Sequence, residues 1–219
     1  NPETGDTRHA NQFFDHHKIK DAMLLADIQR ATQGTTDVIL FNIDAKADNK
    51  AERDAILQVF LRVFNEKLGY SGDAPHIADM ERHLVTKGAF DVFKQTFADS
   101  NGSTWQKERD AVEFLRDDIV TGLAKALKMT PDSAGKWFDS ARDNYTINIE
   151  GFAKIVSDYL ATKPANHKVI FLVDEVGQFI GASSPLMLSL QTITEQLGTQ
   201  CKGRAWVIVT SQEDIDAAI

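Results

Sequence analysis

Three short apolar runs constrain this chain more than any other feature: Val38-Ile39-Leu40-Phe41, Val169-Ile170-Phe171-Leu172-Val173 and Ala205-Trp206-Val207-Ile208-Val209. None alternates between apolar and polar residues, so each reads as a strand buried on both faces, as in a parallel sheet covered by helices. Each also ends in polar residues at its carboxyl end: Asn42-Ile43-Asp44, Asp174-Glu175 and Thr210-Ser211-Gln212. In open α/β sheets that edge is where ligands bind.

The spacing of the runs sets the architecture. The second and third lie about thirty residues apart, the length of an ordinary strand–helix–strand unit. More than a hundred residues separate the first from the second, far beyond what one crossover helix needs. Apolar periodicity predicts helices over 21–33, 51–68, 76–87, 89–98, 104–116, 119–128, 131–142, 150–161 and 185–197. Thr130-Pro131 reads as an N-cap followed by proline at the first helical position. The expected fold is therefore α/β: three parallel strands with helices on both faces and a large helical insertion. Residues 1–50 and 167–219 form the sheet-bearing core, and 51–166 hold the crossover helix and the inserted helices. Phe90, Phe93 and Phe97 recur at helical spacing and read as core of that insertion.

Composition removes several alternatives. A net charge of −8 argues against non-specific nucleic-acid binding by this chain alone, because phosphate recognition needs clustered cations. The single cysteine, Cys201, excludes an internal disulfide and fits a reducing cytoplasm. The six histidines show no metal spacing with it. The longest apolar run, 169–173, is far too short to cross a membrane. The chain opens Asn1-Pro2-Glu3 without a methionine and closes on what reads as the start of a helix, so both ends are expected to be cuts through a longer protein.

The second run carries the chemistry. A buried strand that delivers Asp174 and then Glu175 at its carboxyl end matches the Walker B arrangement of P-loop ATPases. Mg²⁺ on a nucleotide prefers hard oxygen ligands and keeps several waters, so one carboxylate at the strand tip can hold it through those waters; Asp174 suits that role. A second carboxylate beside the γ-phosphate can orient the attacking water, and Glu175 suits that one. The competing reading is a buried strand that exits into an acidic turn. Thr210, at the tip of the third strand, is placed where P-loop ATPases of the additional-strand class carry a polar sensor of the γ-phosphate. Asn42, at the tip of the first, either holds the Walker B glutamate out of line or bonds a neighbouring loop. No Gly-x-x-x-x-Gly-Lys-Ser/Thr motif occurs. The phosphate loop of this fold would precede everything in the chain, which makes the expected core a partial, AAA+-like P-loop NTPase without its Walker A strand.

Several stretches resemble the large P-loop ATPase family of BREX bacteriophage-exclusion systems, the BrxC family. They are residues 36–44 with Met23-Leu24-Leu25-Ala26-Asp27-Ile28 before them, residues 169–181 (VIFLVDEVGQFIG), Leu190-Gln191-Thr192-Ile193, and residues 202–214. The resemblance covers both ends of the chain and is weaker in the helical middle. It implies an internal fragment of an ATP-hydrolysing protein of the cytoplasm. That protein would use ATP and Mg²⁺ and work with other BREX defence proteins on DNA, which it would reach through the parent or complex. The family's Walker B acids carry onto Asp174 and Glu175. The fragment itself is expected to bind ATP weakly or not at all and to be inactive alone; it can pair with copies of itself through its open sheet edge. Two other readings stay open: a helical protein-interaction module mounted on the strands, and a degenerate, non-hydrolysing NTPase-like scaffold.

Overall fold

A computed structural model describes residues 19–43, 54–181 and 183–211. Asp44, the expected helix start at 51–53, Gln212, the helix expected after it, and His9, His16 and His17 lie outside the described residues. The elements run α1 (Ala22–Ala31), β1 (Thr36–Asn42), α2 (Ala55–Lys67), α3 (Pro75–Thr86), α4 (Phe90–Asn101), α5 (Trp105–Glu108), α6 (Arg116–Leu127), α7 (Pro131–Asp143), α8 (Ile149–Ala161), β2 (Lys168–Asp174), α9 (Val176–Ile180), α10 (Ser184–Gln200) and β3 (Ala205–Val209).

The strands form one parallel sheet in the order β1-β2-β3, so the strand bearing Asp174 is central. The side chains of Ile39, Phe41, Val169, Phe171, Val173 and Ala205 point to one face. There they join Phe60 and Phe64 of α2, Phe152 and Val156 of α8, and Ile193 and Leu197 of α10 in a single core. Aromatic rings meet at its centre: Phe60 lies 5.1 Å from Phe171 and 5.4 Å from Phe41, ring centroid to centroid.

Helices on both faces were expected, but the described helices cover only this one. The strand order explains it. Right-handed crossovers that step in one direction across a sheet set every connecting helix on the same side. The opposite face is made of two apolar rows, Val38–Ile170–Trp206 and Leu40–Leu172–Ile208, fixed by the strand register. Leu40 is 72% exposed and Trp206 53% exposed.

Residues 75–143 build a second core of their own. Phe93, Phe97 and Trp105 are fully buried there, with Trp105 edge-on to both phenylalanines. Phe90 is half-buried and stacks on Phe93. α4 and α6 pack closely because Gly122 carries no Cβ, which would stand 2.8 Å from the Phe93 ring. The single helix expected over 104–116 is instead a short α5 followed by a 3₁₀ turn at Arg109–Phe114, broken at Ala111. Glu81, buried, accepts bonds from Trp105 Nε1 at 2.7 Å, Arg109 at 3.3 Å and the Ser71 backbone at 2.7 Å; Trp105 and Arg109, four residues apart, present one face of this turn to it. No described helix is long and apolar enough to cross a membrane.

Candidate functional site: the carboxyl edge of the sheet

Pairing of the strands sets Asn42 opposite Asp174, and Thr210 follows Val209, the partner of Val173. The ladder continues past the strand ends: Thr210 N–H donates to Val173 O at 2.9 Å, and Val176 N–H donates to Thr210 O at 3.1 Å. Asn42, Asp174 and Thr210 therefore stand side by side in one row. By the alternation of strand side chains, that row belongs to the uncovered face and caps its two apolar rows.

Four polar side chains are coupled here. The Thr210 hydroxyl donates to Asp174 Oδ1, which also accepts from the Glu175 backbone N–H at 3.0 Å. Asn42 Nδ2 donates to Glu175 Oε2. Asp174 is exposed and Glu175 half-buried. Asp174 Oδ2 has no hydrogen-bond partner among the described residues, and neither acid pairs with a lysine or arginine there. Glu175 adopts a left-handed backbone conformation (φ 60°, ψ 31°), which turns the chain sharply from β2 into α9. Such a conformation costs a non-glycine residue about 1 kcal/mol. Its effect is to set the two successive carboxylates toward different neighbours, Asp174 toward β3 and Glu175 toward β1.

The chemistry available is that of two carboxylates with separate tasks. Asp174, exposed and with one oxygen uncommitted, suits a hydrated cation. Glu175, held by an amide, suits a restrained base. No cluster of three or more metal-ligating side chains occurs among the described residues. Any metal held here would therefore keep most of its ligands as water or substrate oxygens, which is the habit of Mg²⁺. A cleft of about 840 Å³, lined by residues including Asp54, Asn148, Ser184 and Leu188, contains neither acid.

The opposite edge of the sheet holds a second polar network that sequence reasoning missed. Buried His167 bonds Thr35 Oγ1 at 2.7 Å through Nδ1 and Asp37 Oδ2 at 3.1 Å through Nε2. Tyr159 donates its hydroxyl to the same Asp37 oxygen. Burial raises the Tyr159 phenol pKa, and the bond to Asp37 raises it further. Arg204 donates to the carbonyls of His167, Leu160 and Pro164 at 3.0, 2.9 and 2.8 Å, which makes it a clamp at the start of β3, remote from the acids. Cys201 is buried, and burial pushes its thiol up to about 11.

No protein-family model matches the chain, and no solved structure matches it.

Proposed function

We propose that this chain is the Walker B and sensor portion of a P-loop ATPase, and that it belongs to a BREX phage-defence protein. The observation that carries the reading is the polar row Asn42–Asp174–Thr210 at one sheet edge, with Glu175 next in the chain and bonded to Asn42. Asp174 would hold Mg²⁺ through water, using the oxygen that Thr210 leaves uncommitted. The ion would neutralise phosphate charge. Glu175 would accept a hydrogen bond from the attacking water and take its proton. While Asn42 donates to it, the carboxylate is committed elsewhere, so Asn42 restrains the base until a rearrangement frees it. The phosphate-binding loop, other BREX proteins and contact with DNA would come from a longer protein or its complex.

The decisive experiment compares Glu175→Gln and Asp174→Ala in the longer protein, with ATP turnover and nucleotide affinity measured side by side. Glu175→Gln should keep binding and lower turnover about a hundredfold or more, the scale of losing a general base. Asp174→Ala should weaken Mg-nucleotide binding itself. Near-normal turnover in Glu175→Gln removes the central residue from this reading.

A second reading has its own support. Residues 75–143 hold a core separate from that of the sheet, as an interaction module would. On that reading neither substitution changes any activity, and deletion of the module abolishes binding to a partner protein.

A further inference from the structure

Val38, Leu40, Trp206 and Ile208 are exposed on the sheet face opposite the main core, with Ile170 and Leu172 half-buried between them. Parallel sheets occur almost only with both faces covered, and a contiguous apolar patch of this kind marks an association surface. The helix that precedes β1 leaves the patch open: α1 ends beside Lys168, whose Nζ donates to Ala31 O at 3.0 Å, and none of its residues is buried.

The strand register makes this face complementary to itself. Ile39, Phe171 and Val207 lie in one line across the three strands. A two-fold axis laid against the face along that line sets each strand antiparallel on its own copy. Val38 then faces Leu40 of the second copy, Ile170 faces Leu172, and Trp206 faces Ile208. The polar ends match as well. Lys168 and Asp174 close the two ends of β2 on this face, by the alternation of strand side chains. The axis brings Lys168 over Asp174 of the second copy, and Thr36 over Asn42. Both charged groups can serve such a pair: Lys168 spends one of its three donors on Ala31, and Asp174 Oδ2 has no partner among the described residues. Arg204, at the foot of β3, is committed to three carbonyls. A two-fold axis along β2 would instead set lysine on lysine and aspartate on aspartate, which like-charge repulsion opposes.

We propose that two copies of this chain associate face to face through this sheet, with strands antiparallel, apolar rows at the centre and a Lys168–Asp174 pair at each end. Aligned sheets pack about 10 Å apart and rotated by about 30°, which keeps β2 on β2 in the best register. Three strands of this length make a patch about 14 Å by 20 Å. That is well under the roughly 800 Å² per partner of a standard interface. The dimer is therefore weak, with a Kd between about 10 μM and 1 mM. Pairing lays an ammonium on Asp174, so the paired state and a cation on that acid exclude each other. The inference does not rest on the ATPase reading.

The test is sedimentation equilibrium of the full chain from about 5 μM to 2 mM, a range that brackets the expected Kd. A monomer–dimer equilibrium is expected. Lys168→Asp and Asp174→Lys should each weaken it about tenfold, because each turns both end pairs into like charges. An equimolar mixture of the two variants should restore a dimer, since lysines of one protomer then meet aspartates of the other. Leu40→Lys, at a side chain 72% exposed, should abolish dimerisation with the melting temperature unchanged, and keeps the test decisive if a charge reversal disturbs the fold. Three results overturn the proposal: a monomer throughout the concentration range, growth beyond the dimer as strand pairing at the open sheet edges would give, or no recovery of the dimer in the mixture of folded variants.

Discussion

The side-chain amide of Asn42 donates to the carboxylate of Glu175 across 133 positions of sequence. Because Asn42 ends β1 and Glu175 follows β2, the bond ties the two strands together at their polar tips. Asn42→Ala should lower stability by about 1 kcal/mol, the usual worth of one such bond. Asn42→Asp should cost more at pH 7, because it sets two carboxylates against each other, and should recover part of the loss on acidification. Urea unfolding at pH 7 and pH 4.5 reads both effects.

Glu175 pays for its left-handed backbone at every fold cycle, whatever its side chain does. Glu175→Gly should remove that strain and offset much of the lost Asn42 bond, leaving stability within about 0.5 kcal/mol of the parent. Glu175→Gln keeps the strain. The ordering Gly above Ala in melting temperature at this position checks the conformation directly.

Glu81 is fully buried and serves Ser71, Trp105 and Arg109 at once. Glu81→Ala strands the Trp105 indole N–H and the Arg109 charge, and should cost roughly 3–5 kcal/mol. Trp105 fluorescence should show the second core loosening before the sheet unfolds.

Asp37 gives the protein an acid-sensitive element. Burial by itself raises its pKa, but the bonds from Tyr159 and His167 and the charge of Lys67 outweigh that and hold it below its ordinary value. A carboxyl lowered in the folded state stabilises above its unfolded pKa, and that contribution fades as pH falls through the folded one. Asp37→Asn should therefore flatten the loss of stability below about pH 4. Tyr159→Phe should cost about 1 kcal/mol at neutral pH.

On the uncovered sheet face, Leu40→Lys and Trp206→Lys should leave the melting temperature nearly unchanged and reduce self-association, because these side chains meet solvent. Phe171→Ala, on the opposite face of the same sheet, should cost about 3–5 kcal/mol. Light scattering and thermal unfolding separate the two behaviours.

Much of this was legible in the chain. Continuous apolar runs marked β1, β2 and β3, and their polar ends marked the edge where Asn42, Asp174, Glu175 and Thr210 gather. Thr130 caps α7 with Pro131 at its first position, as its residue types require. What stayed hidden depends on distant neighbours. An apolar run does not say which face is covered, so Leu40 and Phe41 look alike until the crossovers are drawn. The bonds that bring Trp105 and Arg109 to Glu81 span more than twenty positions, and no local pattern announces them or the break at Ala111. His167 and Asp37 look ordinary alone and become a network only through the register of β1 on β2.

The insertion between β1 and β2 has a kinetic consequence. Joining Asn42 to Asp174 closes a loop of over a hundred residues, a step whose entropy cost grows with the length of flexible chain between them. Within residues 75–143, α4 packs on α6 and α6 on α7, contacts that are near in sequence and quick to form. Once that module has condensed, the slack between the two strands is far shorter than the residue count suggests. Refolding should then proceed in two stages, helices first, with the acidic edge among the last parts of the molecule to assemble.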